Sequence, residues 1–119
     1  MLNLDTHILL FALEGSLTAR EKRVLQREQW GVSSIVLWEI AKLHEKGRIA
    51  VGLDSPLLTR ILRRIQIWPI TREVCLAMLT LDFASDPADE LIAATSLTFG
   101  VPLLTRDSRI RTSKIVELA

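Results

Sequence analysis

The stretch Asp86-Pro87-Ala88-Asp89-Glu90-Leu91-Ile92-Ala93-Ala94-Thr95-Ser96-Leu97-Thr98-Phe99-Gly100-Val101-Pro102-Leu103-Leu104-Thr105-Arg106-Asp107 holds one complete structural unit. Asp86 before Pro87 starts a helix, because proline at the first helical position loses an N–H that has no intrahelical acceptor anyway. Gly100 ends that helix at Phe99, since glycine readily takes the left-handed conformation of a helix stop. The run Val101–Thr105 is then too short and too apolar for anything but a buried strand. The same alternation repeats upstream. Leu2–Leu4, Trp30–Ser33 and Ile67–Ile70 read as short strands. Between them lie helical patterns: Thr6–Leu13 stopped by Gly15, Ala19–Gln29 behind Thr18, Ser34–Lys46 stopped by Gly47, Ser55–Ile65 with Pro56 in its first turn, and a helix from Thr71 through Leu81. Ile115–Leu118 reads as a last strand. Strands alternating with helices imply parallel pairing. The expected fold is α/β: one domain over residues 1–119, a three-layer α/β/α sandwich around a central, mostly parallel sheet of four to five strands.

Composition narrows the class. With 119 residues, 49% apolar and 24% charged, the chain is long enough for one hydrophobic core, and its composition excludes the disordered and fibrous classes. Fifteen basic against 14 acidic residues give +1, which excludes a strongly basic nucleic-acid coat and an acidic tail. The single cysteine, Cys75, excludes an internal disulfide and four-cysteine metal sites, and fits a reducing compartment. Asp5 interrupts the N-terminal apolar segment and no basic region precedes it, which argues against a signal peptide. The early apolar run Ile8–Leu13 falls far short of the roughly 20 residues a bilayer span requires. The expected setting is the cytoplasm, without a membrane partner.

In an open parallel sheet, ligands bind outside the carboxyl ends of the strands. Asp5 and Asp107 fall at such ends, and Asp89 lies in the first turn of the helix before the last apolar run. Each alone is accounted for by helix capping or a favourable helix dipole. Glu39 is less easily absorbed: between Ile35 and Leu43 it lies on an inward-facing stripe, where a carboxylate needs a partner or its pKa rises. A surface pair with Lys42 or Lys46 is its bland explanation. If the four acids converge, two carboxylates about 5 Å apart repel by roughly 3 kcal/mol at an effective dielectric near 20. A divalent cation resolves that conflict, and oxygen-only donors favour Mg²⁺ or Mn²⁺ over zinc. Such a centre suits phosphodiester hydrolysis.

The segments Leu4-Asp5-Thr6-His7, Trp38-Glu39-Ile40, Asp86-Pro87-Ala88-Asp89-Glu90-Leu91-Ile92-Ala93-Ala94-Thr95 and Leu104-Thr105-Arg106-Asp107 resemble, in order and spacing, the motifs of PIN-domain proteins. The likeness is greatest to the VapC-type ribonuclease toxins of toxin–antitoxin modules, and it spans essentially the whole chain. The resemblance implies a Mg²⁺- or Mn²⁺-dependent endoribonuclease that cuts RNA and is held inactive by a cognate antitoxin protein. A homodimer is also expected: the apolar helix face around Leu57, Leu58 and Ile61 is a candidate for it, for an antitoxin helix or for the core. The family's acidic quartet falls on Asp5, Glu39, Asp89 and Asp107, with Asp5 and Asp89 the most direct metal ligands. Glu39 and Asp107 would complete the pocket directly or through water, and Thr6 and Thr105 would orient carboxylates or water. Two departures stand out: Glu90 follows the third acid where many members have arginine, and Ile110 stands where many have an aromatic residue. The alternative from another class is a PIN-like RNA- or protein-binding module without catalysis.

Other features receive structural readings. Asp86 is expected to cap its helix, leaving Asp89 as the ligand. Cys75 is expected in the core beside Met78 and Leu79. Trp30, Trp38 and Trp68 are candidates for stacking on bases, with large core residues the expected reading. His7 is expected to make a local hydrogen bond at the start of its helix. Two basic groups, Arg60/Arg63/Arg64 and Arg106/Arg109/Arg111 with Lys114, are candidates for RNA phosphates or plain solvated faces. A receiver domain would need an acidic pair after the first strand, and a haloacid-dehalogenase-type phosphatase would need Asp at position 7, which is His7.

Overall fold

In a computed structural model describing residues 1–119, four short strands form one parallel sheet: β1 (Leu2–Leu4), β2 (Trp30–Ser33), β3 (Gln66–Trp68) and β4 (Leu103–Leu104). Seven helices flank it: α1 (Thr6–Glu14), α2 (Ala19–Arg27), α3 (Ile35–Glu45), α4 (Pro56–Leu62), α5 (Arg72–Met78), α6 (Pro87–Phe99) and α7 (Ser108–Arg111). The spatial order is β3-β2-β1-β4. The chain therefore steps one way across the sheet from β1 to β3, then returns to the far side of β1. Since parallel crossovers keep one hand, stepping across the sheet in opposite directions puts helices on both of its faces. The reversal leaves a crevice between the carboxyl ends of β1 and β4, where open sheets bind ligands.

The core follows from the apolar pattern. Leu2, Leu4, Ile8, Leu9, Val32, Val36, Ile40, Leu58, Ile92, Leu103, Leu104 and Ile110 are fully enclosed, each burial worth about 1.5–3 kcal/mol. Along α6 the five consecutive residues Ile92–Ser96 are all buried, because this helix packs on β1 and β2 and against α3 and α5. Asn3, wholly buried in β1, fastens it: its amide donates to Ile92 O and to Ser96 Oγ, both at 2.9 Å. Gly31 is required in β2 by a close approach, since a Cβ there would lie 2.5 Å from the Trp68 ring, itself stacked on Phe99.

Several sequence expectations are corrected. Pro102 lacks the N–H a ladder needs, so the last strand is only Leu103–Leu104. Ile115–Leu118 contributes a single parallel bridge, Leu103 to Leu118, rather than a strand. Strand β3 begins at Gln66 and ends before Ile70, while α5 stops at Met78. The inward face of α5 is Val74–Ala77–Met78, rotated from the expected one, so Cys75 is exposed, Leu76 is 52% exposed and Leu79 is 73% exposed. Trp38 is likewise not core: it is 54% exposed, whereas Trp68 is buried and Trp30 half-buried. Helix α7 has no counterpart in the sequence pattern, being only four residues long. No helix is long and apolar enough to cross a membrane.

Candidate metal centre

Asp5 directly follows β1 and Thr105 directly follows β4, so the strand ends deliver both to the crevice where the sheet order reverses. Asp5 occupies the N-cap position of α1 without a side-chain capping bond, so the capping explanation does not apply to it. Its carboxylate is buried and accepts a hydrogen bond on Oδ2 from the Thr105 hydroxyl at 2.6 Å. Glu39, on α3, is half-buried. It pairs with neither lysine, and Lys42 turns to Glu45 instead (3.3 Å). Thr6 Oγ1, fully buried, donates to Glu39 Oε1 at 2.5 Å. Asp89, one turn into α6, receives the Ser85 hydroxyl on Oδ2 at 2.9 Å. Each of the three carboxylates thus has one oxygen fixed by a hydroxyl and one free of a side-chain partner.

Carboxylate oxygens of Asp5, Glu39 and Asp89 lie within 4.8 Å of one another. At that separation each ionised pair repels by roughly 3 kcal/mol at an effective dielectric near 20. All three pKa values are raised, in each case chiefly by burial and further by neighbouring acids, Asp89 to about 6. Asp5 Oδ1 is buried and has no hydrogen-bond partner at all. A buried carboxylate oxygen left unpaired is expensive unless a cation completes it. The donor set is all oxygen, partly desolvated and mutually repulsive, which fits a hard divalent ion.

Asp107 is not brought into this trio. It is half-buried on the rim of the same cleft, and its Oδ1 caps α7, accepting from Arg109 N (2.9 Å) and Ile110 N (3.1 Å). Thr105 Oγ1 accepts from Asp107 N at 3.0 Å while donating to Asp5, so one hydroxyl links the two acids. The cleft, about 370 Å³, is lined by Asp5, His7, Glu39, Asp86, Asp89, Arg106 and Asp107. Asp86 departs from its expected role: it holds the N-cap position of α6, but its side chain makes no cap bond and borders the cleft as a fifth acid. Glu90 lies outside the cleft lining, its Oε2 accepting from Ser85 N at 3.4 Å. His7 borders the cleft without a hydrogen bond, its ring tilted against Phe11 at 6.2 Å. Ile110 is core.

Arg106 is withdrawn from the expected phosphate-binding group. Its guanidinium pairs with buried Glu21 at 2.7 and 2.8 Å, holding that carboxyl down at about 2, and lies 4.0 Å over the Phe11 ring. Arg111 donates to Thr105 O at 3.3 Å, backing the same loop. Two contributors had little signal in sequence. Ser85 stands four residues before Asp89 across a proline, outside any helical pairing, and Asn3 reads as an interruption in an apolar strand.

A family model described as PIN domain matches residues 3–114 of this chain. Ribonuclease VapC22 of Mycobacterium tuberculosis is 30% identical over 99 residues, covering 81% of this chain and 76% of that protein. Among solved structures, VapBC2 from Rickettsia felis bound to a promoter DNA fragment superposes with a TM-score of 0.72 at 18% identity, over 100% of this chain and 98% of that one. A toxin–antitoxin complex from Klebsiella pneumoniae gives 0.69 at 20% identity, over 94% and 91%. At such identities the structural likeness speaks for the fold.

Proposed function

The chain belongs to the PIN-domain family, and on that premise we propose that it is a divalent-metal-dependent endoribonuclease, the toxin half of a toxin–antitoxin pair. The observation that carries this reading is the trio Asp5, Glu39 and Asp89, each with one carboxylate oxygen anchored by a hydroxyl and each offering an oxygen within 4.8 Å of the others. Asp5 and Asp89 would hold Mg²⁺ or Mn²⁺ most directly, Glu39 would complete the set, and Asp107 would act from the rim through water. When bound, the ion supplies Lewis-acid stabilisation of the phosphoryl charge and a lowered pKa for the attacking water. The chain's own task is positional. Thr105, Thr6 and Ser85 restrict the three carboxylates, so little reorganisation remains when substrate arrives. The test is cleavage of mixed RNA by the wild-type protein with Mg²⁺ or Mn²⁺ and its abolition by EDTA.

Thr105→Val tests the positioning directly. It removes the donor to Asp5 and the acceptor of Asp107 N–H while keeping the volume of the side chain. Cleavage is expected to fall about 10- to 100-fold, with weaker metal binding, as for other groups that orient ligands. Thermal midpoint and metal titration check it; unchanged metal affinity would remove the hydroxyl from the site's machinery.

A cognate antitoxin as partner is supported by the toxin–antitoxin complex among the structural neighbours. A homodimer is supported by the unpartnered apolar face of α5, where Leu76 and Leu79 stand exposed. Leu76→Glu combined with Leu79→Glu is expected to convert a dimer to a monomer in light scattering, while leaving the fold intact because neither side chain enters the core. A cytoplasmic setting belongs to the same proposal and is supported by the lone, unpaired Cys75.

A further inference from the structure

A second groove, about 420 Å³, opens beside the acidic cleft and shares two of its walls, Glu39 and Asp86. One side is a stripe along α3. Trp38, Lys42 and Lys46 follow one another at four-residue intervals, the spacing that stacks side chains on one helical face. Arg48 extends the stripe from the following turn, and Pro87 and Ala88 at the start of α6 form the opposite side. Lys46 and Arg48 are exposed and make no ion pair, whereas Lys42 is engaged only by a surface contact with Glu45. Trp38 offers a largely uncovered indole immediately next to Glu39 in the chain.

We infer that this groove is the track for the single-stranded RNA flanking the scissile phosphate, with Trp38 stacking a base and Lys46 and Arg48 holding backbone phosphates. The inference rests on the nuclease reading above. An aromatic platform beside a line of cations is how proteins hold single strands without reading sequence. Continuity with the acidic cleft supplies the direction, because a strand whose phosphate lies among Asp5, Glu39 and Asp89 leaves past Glu39 and Asp86 into the groove. Charge supplies the rest. Without an ion the cleft repels phosphates, so in that state attraction for the strand comes from cations beyond it, and this groove provides three.

Fluorescence anisotropy with a labelled 12-nucleotide single-stranded RNA, in EDTA to prevent cleavage, tests the assignment. Trp38→Ala is expected to weaken binding by about 5- to 100-fold, with Trp38→Phe retaining most of it. The pair Lys46→Gln and Arg48→Gln is expected to lower the slope of log affinity against log salt by about 1.4, for two phosphates of a single strand. All three positions are exposed, so thermal midpoints near wild type confirm folding. In cleavage assays the same variants raise KM and spare kcat. Unchanged RNA affinity and salt slope overturn the track, even if the wild type cuts RNA. Loss of binding to a labelled poly-glutamate peptide with RNA binding intact also overturns it, assigning the groove to an acidic protein segment. A wild type that binds RNA through these residues but never cleaves it refutes the nuclease reading and leaves the track standing.

Discussion

Asparagine at position 5 or at position 89 is expected to lower RNA cleavage by about 10³-fold or more, because each substitution removes a charged ligand oxygen while keeping the side chain's shape. Stabilisation of phosphoryl charge by a bound ion is worth several kcal/mol, and each 1.36 kcal/mol is a factor of ten in rate. Asp5 has the least scope for compensation: Thr105 fixes Oδ2, and Oδ1 is buried with no other partner. Asp107→Asn should be milder, about 10- to 100-fold, since its Oδ1 can still cap α7 as an amide oxygen and it stands outside the trio. The ordering of these variants is the content of the claim. Initial rates on mixed RNA with Mn²⁺ measure it. A wild type that is inert under those conditions, matched by both variants, would return the chain to the non-catalytic binding module that the motifs alone also allow.

Much of this arrangement was legible in sequence for a simple reason. Helix stops and starts are local chemistry: Gly15 and Gly100 end helices in the left-handed conformation, and Thr18 and Thr71 cap helices with their hydroxyls. Strand ends in a parallel sheet point to one side, so Asp5 and Asp107 could be assigned to one edge before any contact was known. What eluded sequence reasoning depends on partners far along the chain. Arg106 reads as a free cation near an acid, but Glu21 lies 85 residues earlier and takes it. Cys75 and Leu79 read as core beside Met78 because apolar residues fill most of α5, and only packing against α6 selects Val74, Ala77 and Met78 as its inner face. Asp86 departs from its expected part for a similar reason. Asp86 and Asp107 both precede helices, but only Asp107 turns its carboxylate back onto its helix, leaving Asp86 to face the cleft.

The cluster of acids also makes a prediction about stability that is opposite in sign to that of ordinary surface carboxylates. For Asp5, Glu39 and Asp89 the folded-state pKa is raised, so the folded chain holds these protons more tightly than the unfolded chain. Their contribution to stability is present below the usual carboxylate range near 4 and is lost as pH rises through the folded values, about 6 for Asp89. Glu21 works the other way, but its loss falls between its ordinary value and about 2, below this window. In EDTA, the thermal midpoint should therefore decline from about pH 5 to pH 7.5. Asp89→Asn should abolish part of that decline. The rise to about 6 corresponds to about 3 kcal/mol at 1.36 kcal/mol per unit, of which about 1.4 kcal/mol is lost above pH 5; solvent screening of this half-exposed group reduces that to about 0.5 kcal/mol, or roughly 2 °C. Metal reverses the effect, because an ion that binds only the folded state adds about 2.7 kcal/mol at a hundredfold excess over Kd. Millimolar Mn²⁺ should thus raise the midpoint strongly at pH 7.5, weakly at pH 5 where protons compete for the same oxygens, and far less in Asp89→Asn than in wild type. Melting curves at the two pH values, with EDTA and with Mn²⁺, separate these terms. A metal-free midpoint that climbs from pH 5 to pH 7.5, or equal metal shifts in wild type and variant, would place the cation elsewhere and take the strain out of the acidic cleft.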